Sequence, residues 1–443
     1  MDAPGIVTKQ VSDNSMITPG IGSVNHDQSE LVLSGSVTLI VRDDLQTDGG
    51  EMKIPIHDIQ QMLAKSNLDG WLLYDFHGSN QIAHNIVGVK GMVTRRWAYW
   101  VPRTGPGQII RHAIESSPFA HLGGNQRTYS SWKALDAAVR ETLGSARRIA
   151  MEYSPNNAIP YIACVDAGTI EKLRGWGLEI VSSADLVAHF LARWTPEQTA
   201  GHHRAAAELI DIKDRAYAMI AARVRSGVEL TEYEVTEFIR NEFGNRGMVT
   251  DDGPICAVDA NAGNPHYEPS ATHSAHIERN QLVLLDIWAR LDTPDSVFAD
   301  ITWTAYTGGD IPTNVTDVFE IVRRARDRAV EFANEKLAAG APLYGYEIDD
   351  ACRDVIAKAG YGEFFIHRTG HSIGGTVHGI GPNIDNLETQ DQRRLEDGMC
   401  FSVEPGIYLP EFGIRSEIDV LIENGRAVVT TLPLQTEVGR LAV

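Results

Sequence analysis

Between His367 and Glu417 the chain reads HRTGHSIGGTVH, then a loop, then MCFSVEPGIYL and FGIRSEIDVLI. Histidines and carboxylates at this density are the side chains that hold metal ions and move protons. His367 and His371 are four residues apart, a spacing that would share one helix face, but Gly370, Gly374 and Gly375 argue against a helix there. The histidines are therefore expected on extended chain or loop. Glu404 falls in the run Cys400 to Tyr408 and Glu417 in the run Ile414 to Ile422, and both runs have the composition of buried strands. A carboxylate inside an apolar strand is costly unless a cation compensates it. Two of them beside histidines point to a cation.

Upstream, LVLLDIW sets Asp286 in an otherwise apolar strand and FADITWT sets Asp300 in the next. The turn-forming ARLDTPDSV between them predicts a hairpin that brings the aspartates together. Asp286, Asp300, Glu404 and Glu417 with one of the histidines make an oxygen-rich set with one imidazole, which suits manganese, cobalt or iron better than a closed structural zinc. Bridging carboxylates of this kind would hold two ions about 3.5–4 Å apart with a hydroxide shared between them. Singly, each residue has an ordinary reading. A buried aspartate commonly anchors a turn, a glutamate before Pro405-Gly406 can end a strand, and His266, between Pro265 and Tyr267, reads as a loop histidine. Their joint occurrence carries the argument. His202, His203, His273 and His276 flank no such motif and are expected at the surface.

The elements that must position these residues follow from periodicity and caps. Residues Met1 to about Gly50 show no helical period and read as a weakly ordered extension. From there a helix (Ile56 to Leu63), three strands (Gly70 to Phe76, Arg96 to Val101, Gln108 to Ile114), a helix (Trp132 to Leu143) and a strand (Arg148 to Tyr153) predict a small α/β domain over 51–194. Thr195-Pro196 starts a long helix to about Arg225, and another follows from Thr231 to Phe243. Strands are expected at Pro254 to Val258, Gln281 to Ala289 and Val297 to Tyr306, then helices at Val315 to Ala339 and Tyr346 to Ala359. Helices outside a largely antiparallel sheet make residues 195–443 an α+β domain.

Composition narrows the partners. At 443 residues two domains are the default. A net charge of −20 disfavours nucleic acid or an anionic membrane surface. The four cysteines, Cys164, Cys256, Cys352 and Cys400, include no C-x-x-C pair, so neither a zinc ribbon nor a disulfide framework is indicated. No long apolar run and no signal-peptide order is present, and a cytoplasmic protein is expected.

The order LLD, DIT, GH-x-x-G, EPG and R-x-E resembles the pita-bread metallopeptidase family of aminopeptidase P and prolidase. The resemblance covers about Thr195 to Leu434, and more weakly a creatinase-type N-terminal domain before it. It implies that Asp286, Asp300, His371, Glu404 and Glu417 are metal ligands for two divalent ions, manganese first, with cobalt, iron or zinc as alternatives. It further implies that His266, His367 and His378 are substrate-side and catalytic histidines, that Arg415 and Thr302 stand beside the ligands, and that Glu404 acts on the metal-bound water. The implied activity is hydrolysis of Xaa-Pro peptide bonds through a metal-bridging hydroxide, by an aminopeptidase or a dipeptidase. A small peptide is the implied substrate and a homodimer the implied assembly.

The chain departs from the family pattern in three places. The hairpin between the aspartates is longer than usual, Trp288 stands where a glycine commonly lies two after the first aspartate, and Trp303 replaces the arginine of DITRT. The prolidase arginine for a dipeptide carboxylate has no clear counterpart, although Arg393 and Arg394 lie in that region. Three other activities use this fold: a metal-dependent lyase of the dimethylsulfoniopropionate type, a metal-free creatinase-like amidinohydrolase, and a binding module of the histone-chaperone kind. The lyase typically carries a second aspartate where this chain has Trp288, and the other two would not need all five ligands.

Overall fold

The computed structural model describes residues 54–122 and 125–442. The extension expected over residues 1–50 lies outside the described residues. The first half is one sheet between helices. Helix α1 (Ile56–Lys65) leads into β1 (Gly70–Asp75), α2 (Gln81–Val87), β2 (Trp97–Pro102), β3 (Gln108–His112), β4 (Gln126–Tyr129), α3 (Trp132–Leu143), β5 (Arg148–Met151), α4 (Ala167–Gly175), β6 (Glu179–Ser182) and α5 (Ala184–Leu191). The strand order is β4-β3-β2-β1-β5-β6. Both faces are covered, as strand alternation shows. Trp71 and Leu73 pack with α1, α2 and α5, while Leu72 packs with α3 and α4.

The second half begins with α6 (Pro196–Ser226), α7 (Glu232–Asn245), β7 (Met248–Val249), β8 (Ile255–Val258), β9 (Leu282–Leu291) and β10 (Ala299–Tyr306). Both helices start as their sequences require. Thr195 Oγ1 accepts the Gln198 N–H at 3.1 Å while Gln198 Oε1 accepts the Thr195 N–H at 2.9 Å, a closed capping box. Thr231 and Glu234 repeat it at α7. Strand β9 is paired on one side with β10 and on the other with β8 and β7. Val283, Leu285, Ile287 and Ala289 of β9, with Ala299, Ile301 and Ala305 of β10, form one core with α6 and α7. The opposite face carries Asp286, Asp300 and Thr302.

Helices α8 (Thr313–Ala338) and α9 (Gly345–Lys358) then back a second sheet built from β11 (Ser372–Ile373), β12 (Cys400–Val403), β15 (Ile418–Glu423) and β16 (Arg426–Val429), in the order β11-β12-β15-β16. Strands β13 (Gly406–Tyr408) and β14 (Gly413–Arg415) pair separately, and β17 (Gly439–Arg440) joins β10. Phe401, Val403, Ile418, Val420 and Ile422 face α8 and α9, which leaves Ser402, Glu417 and Asp419 on the inner face. The two inner faces lie against one another, since the Asp300 N–H donates to Asp419 Oδ2 at 2.8 Å. No helix among the described residues is long and apolar enough to cross a membrane.

One expectation is corrected. Neither glutamate lies inside a strand, because both runs break where their glutamate sits. Pro405 has no N–H for the ladder. The Glu404 N–H instead donates to the Thr369 carbonyl at 2.8 Å and the Glu417 N–H to the Thr302 carbonyl at 3.2 Å. The same register holds on either side of the break, Val403 opposite Ile418 and Gly406 opposite Arg415, so Glu404 and Glu417 face each other across it. Like charges directly opposite destabilise a strand pair.

The cap on α6 yields a stability prediction. Thr195→Ala removes the acceptor for the Gln198 N–H and should lower the unfolding free energy by about 1 kcal/mol. A lower urea midpoint with unchanged slope would show it, and Thr195→Ser should restore the wild-type midpoint.

Candidate metal centre

Strand pairing alone sets the two aspartates. Thr302 is directly opposite Asp286 and Asp300 directly opposite Trp288, so the aspartates are diagonal neighbours on one face. His371 comes from the chain just before β11. Its N–H donates to Ser402 Oγ at 3.0 Å, and Ser402 Oγ in turn donates to Glu404 Oε1 at 3.1 Å. The result is a tight convergence: ligand atoms of Asp300, His371 and Glu417, all buried, lie within 4.8 Å of one another. Glu404 Oε1 is 3.4 Å from His371 Nε2, and Asp300 Oδ2 is 3.7 Å from it. Asp286 makes an ion pair with Arg415.

The arrangement is short of positive charge. His371 Nδ1–H donates to the Ser372 carbonyl at 3.2 Å, which leaves Nε2 as a lone pair facing two carboxylates. Burial pushes the Asp300 and Glu417 carboxyls well above the usual range, and neighbouring carboxylates push them further. Burial also raises Asp286, against the pull of Arg415, and raises Glu404 to about 7. His371 is held well below its ordinary value, burial first and His378 second. Asp300 Oδ1 is buried with no hydrogen-bond partner. A neutral imidazole, an orphaned carboxylate oxygen and crowded acids fit divalent cations, and the donor chemistry is that of hard to borderline ions. Asp286, Asp300, His371, Glu404 and Glu417 are the residues that could hold them.

The Arg415 guanidinium lies inside this cluster, and Arg368 also pulls the Glu404 carboxyl down. Arg415 Nε donates to Thr302 Oγ1 at 3.0 Å, Nη1 donates to the Tyr408 hydroxyl at 3.1 Å, and Nη2 pairs with Asp286. Thr302 Oγ1 donates onward to Glu417 Oε2 at 2.7 Å. Every nitrogen of Arg415 is therefore engaged within the protein. Tyr408 links this network to His367: His367 Nδ1–H donates to the Arg368 carbonyl, and the Tyr408 hydroxyl donates to His367 Nε2, both at 2.7 Å. Burial and then Arg415 push His367 down to about 3. His378 is exposed, its ring edge-on to that of His371 at 4.4 Å between centroids. His266 is exposed on its own loop.

Two residues expected elsewhere, and three not singled out, support the cluster. His202 is fully buried rather than at the surface, since it lies on the face of α6 that meets the sheet. It donates from Nδ1 to the Phe298 carbonyl at 2.8 Å and accepts from Thr430 Oγ1 at 2.7 Å. His203, His273 and His276 are exposed. Arg393 is 2% exposed and pairs with Asp391 at 2.6 Å, while donating to the Ile380 and Gly381 carbonyls. It is a clamp on the loop after His378, and each of its three side-chain nitrogens is engaged within the protein. Asp419, two residues after Glu417 on the same face, was visible in the alternation of SEIDVLI. Asp349, fully buried, accepts from the Thr369 N–H and hydroxyl, the Asn386 N–H and Arg353, and so fixes the chain between His367 and His371.

Glu232 does the same for the loop of His266. Its buried carboxylate accepts from the Val258 N–H at 2.7 Å, the Asn261 amide at 3.0 Å, the Tyr267 hydroxyl at 2.5 Å and the Ala275 N–H at 2.7 Å. Both ends of the loop and its middle are tied to one side chain.

Comparison with known proteins agrees with this geometry. The model of metallopeptidase family M24 matches residues 203–424. The Xaa-Pro dipeptidase of Lactobacillus delbrueckii subsp. lactis is 34% identical over 246 residues, which are 55% of this chain and 61% of that protein. The chain thus matches less than two thirds of that relative's length. Among solved structures, a prolidase from Thermococcus sibiricus is similar with a TM-score of 0.60 and 24% identity, over 88% of this chain and 100% of the other. Dipeptidase PepE from Mycobacterium ulcerans gives a TM-score of 0.64 at 22% identity, over 87% and 96% of the two chains. These two share the pita-bread fold with its smaller N-terminal α/β part.

The Glu232 hub predicts a local effect. Glu232→Gln loses acceptor capacity for N–H donors, so amide hydrogen exchange across 259–276 should quicken by at least about tenfold while that of β9 is unchanged. Equal exchange in both proteins would show that the loop holds itself.

Proposed function

Because the chain belongs to metallopeptidase family M24, we propose that it is a dinuclear metal-dependent exopeptidase that hydrolyses Xaa-Pro peptide bonds, with dipeptides as the first substrates to consider. The observation that carries this reading is the lone-pair nitrogen of His371 facing Asp300 and Glu404, with Glu417 converging and one oxygen of Asp300 orphaned. Asp286, Asp300, His371, Glu404 and Glu417 would hold the two ions, and manganese suits the oxygen-rich set. Bound there, divalent ions polarise the scissile carbonyl and make water nucleophilic at neutral pH.

The chain's own residues do the rest. Glu404, whose Oε1 is fixed by the Ser402 hydroxyl, takes the proton of the attacking water and returns it to the leaving proline nitrogen. His378, at the mouth beside His371, donates to the carbonyl oxygen as negative charge develops on it. His266 and His367 orient the peptide. Arg415 keeps Asp286, Thr302 and Tyr408 in register around the ions. In this reading residues 51–194 form a creatinase-like domain, residues 195–443 the catalytic domain, and the protein acts as a cytoplasmic homodimer. Trp288 in place of a further aspartate speaks against the lyase, and the full ligand set against the metal-free amidinohydrolase.

Two outcomes test the proposal. Purified protein should carry close to two divalent ions per chain and cleave Xaa-Pro peptides, and His371→Ala should abolish both metal retention and turnover while the circular dichroism spectrum is kept. Metal-replete enzyme that cleaves neither Xaa-Pro dipeptides nor longer Xaa-Pro peptides would overturn the substrate assignment. Since Arg393 is committed to Asp391, Arg393→Ala should lower stability with no rise in KM confined to dipeptides.

A further inference from the structure

Trp288 occupies the position two after Asp286, directly across the strand pair from Asp300. Alternation along β9 leaves no doubt about its face: Leu285, Ile287 and Ala289 pack with α6 and α7, whereas Trp288 packs with the opposite side. It packs against two separate apolar clusters. One contains Tyr267, the neighbour of His266, and the other contains Ile373, two residues after His371. The side chain therefore lies between clusters that draw on the segments carrying the two histidines.

The indole Nε1–H is buried and has no acceptor in the protein. Asp300 Oδ1, on the residue paired with it, is an orphan as well. The two do not bond to each other, although one is a donor and the other an acceptor. Cations at the carboxylates would satisfy Asp300. They would leave the indole N–H as a desolvated donor on the same face of the hairpin, unpaired until an oxygen arrives. A buried donor without a partner is costly in the free protein and contributes when a ligand supplies the acceptor.

We propose that Trp288 is a specificity-determining residue whose Nε1–H donates to a carbonyl or carboxylate oxygen of the bound peptide, while its ring packs between the His266 and His371 segments. The proposal rests on the peptidase reading above. Ligands with an oxygen at this point are favoured over those without, and the reading identifies that oxygen with the peptide's own backbone or terminus.

Trp288→Phe keeps an aromatic wall and removes the donor. In metal-replete enzyme it should raise KM for Ala-Pro about tenfold, the worth of one hydrogen bond, with kcat within about twofold and metal content and Tm unchanged. The same variant identifies the Trp288 indole signal in spectra of the 15N-tryptophan-labelled protein. That signal should move downfield as Ala-Pro is added to wild type, and more than the other indole signals. Wild-type kinetics in Trp288→Phe, or an indole signal unmoved at saturating Ala-Pro, would overturn the assignment. If metal-replete wild type cleaves no Xaa-Pro peptide, the peptidase reading has failed by itself. The donor is then tested with sodium acetate as the simplest carboxylate, where a downfield shift of the Trp288 signal supports it and an unmoved signal refutes it.

Discussion

Asp286, Asp300, Glu404, Glu417 and Asp419 lie together in the space between two sheets, with Arg415 as the guanidinium among them and His371 as a neutral imidazole. Charges removed from water at this density repel, and Arg415 together with Arg368, which acts on Glu404, does not balance five carboxylates. Much of the second half is intelligible as a way of holding that arrangement in place. Helices α6 and α7 on one side, and α8 and α9 on the other, bury the outer faces of both sheets, and the Asp300 N–H to Asp419 bond ties the inner faces together. The break at Glu404 and Glu417 turns two carboxylates toward each other where an unbroken antiparallel pair would continue its ladder. Divalent cations held there would remove the repulsion.

Around this centre, the flexible parts of the site are tied down by buried acids that serve backbone donors. Glu232 gathers the loop of His266, Asp349 the chain leading to His371, and Asp391 with Arg393 the segment after His378. A carboxylate accepting several N–H groups fixes a loop with no regular secondary structure to do so. Each hub thus holds one histidine-bearing segment against a helix or strand that is itself anchored in the core. Side chains on these loops can then be positioned as reproducibly as those on strands.

Local rules made much of this legible from sequence. Thr195 with Gln198, and Thr231 with Glu234, announce capping boxes that form as written, and the alternation of LVLLDIW and FADITWT sets both aspartates on one face. What was not legible depends on partners distant in the chain. Whether His202 is buried depends on which face of α6 meets the sheet, a matter decided by residues near Phe298 and Thr430. The break at Glu404 needed the pairing register with Glu417, because the composition of Cys400 to Tyr408 reads as one strand. Arg393 looked available for a substrate carboxylate only because Asp391, two residues away, gives no sign in sequence of turning inward to meet it.

The same alternation sorts the two tryptophan departures in the hairpin, which the sequence presents as alike. Trp303 lies on the face of β10 toward α6. There its carbonyl accepts from the Tyr217 hydroxyl, and the Lys213 ammonium sits 3.6 Å above its ring. Lys213 is almost fully buried and burial lowers its pKa, so this indole and Asp214 together stabilise the charge of a lysine inside the scaffold. That substitution changes the packing of a helix on a sheet and leaves the inner face untouched. Trp288 lies on the other face, against the carboxylates, with a donor that no protein group accepts. One residue of parity separates a change in scaffold from a change in what the site can bind.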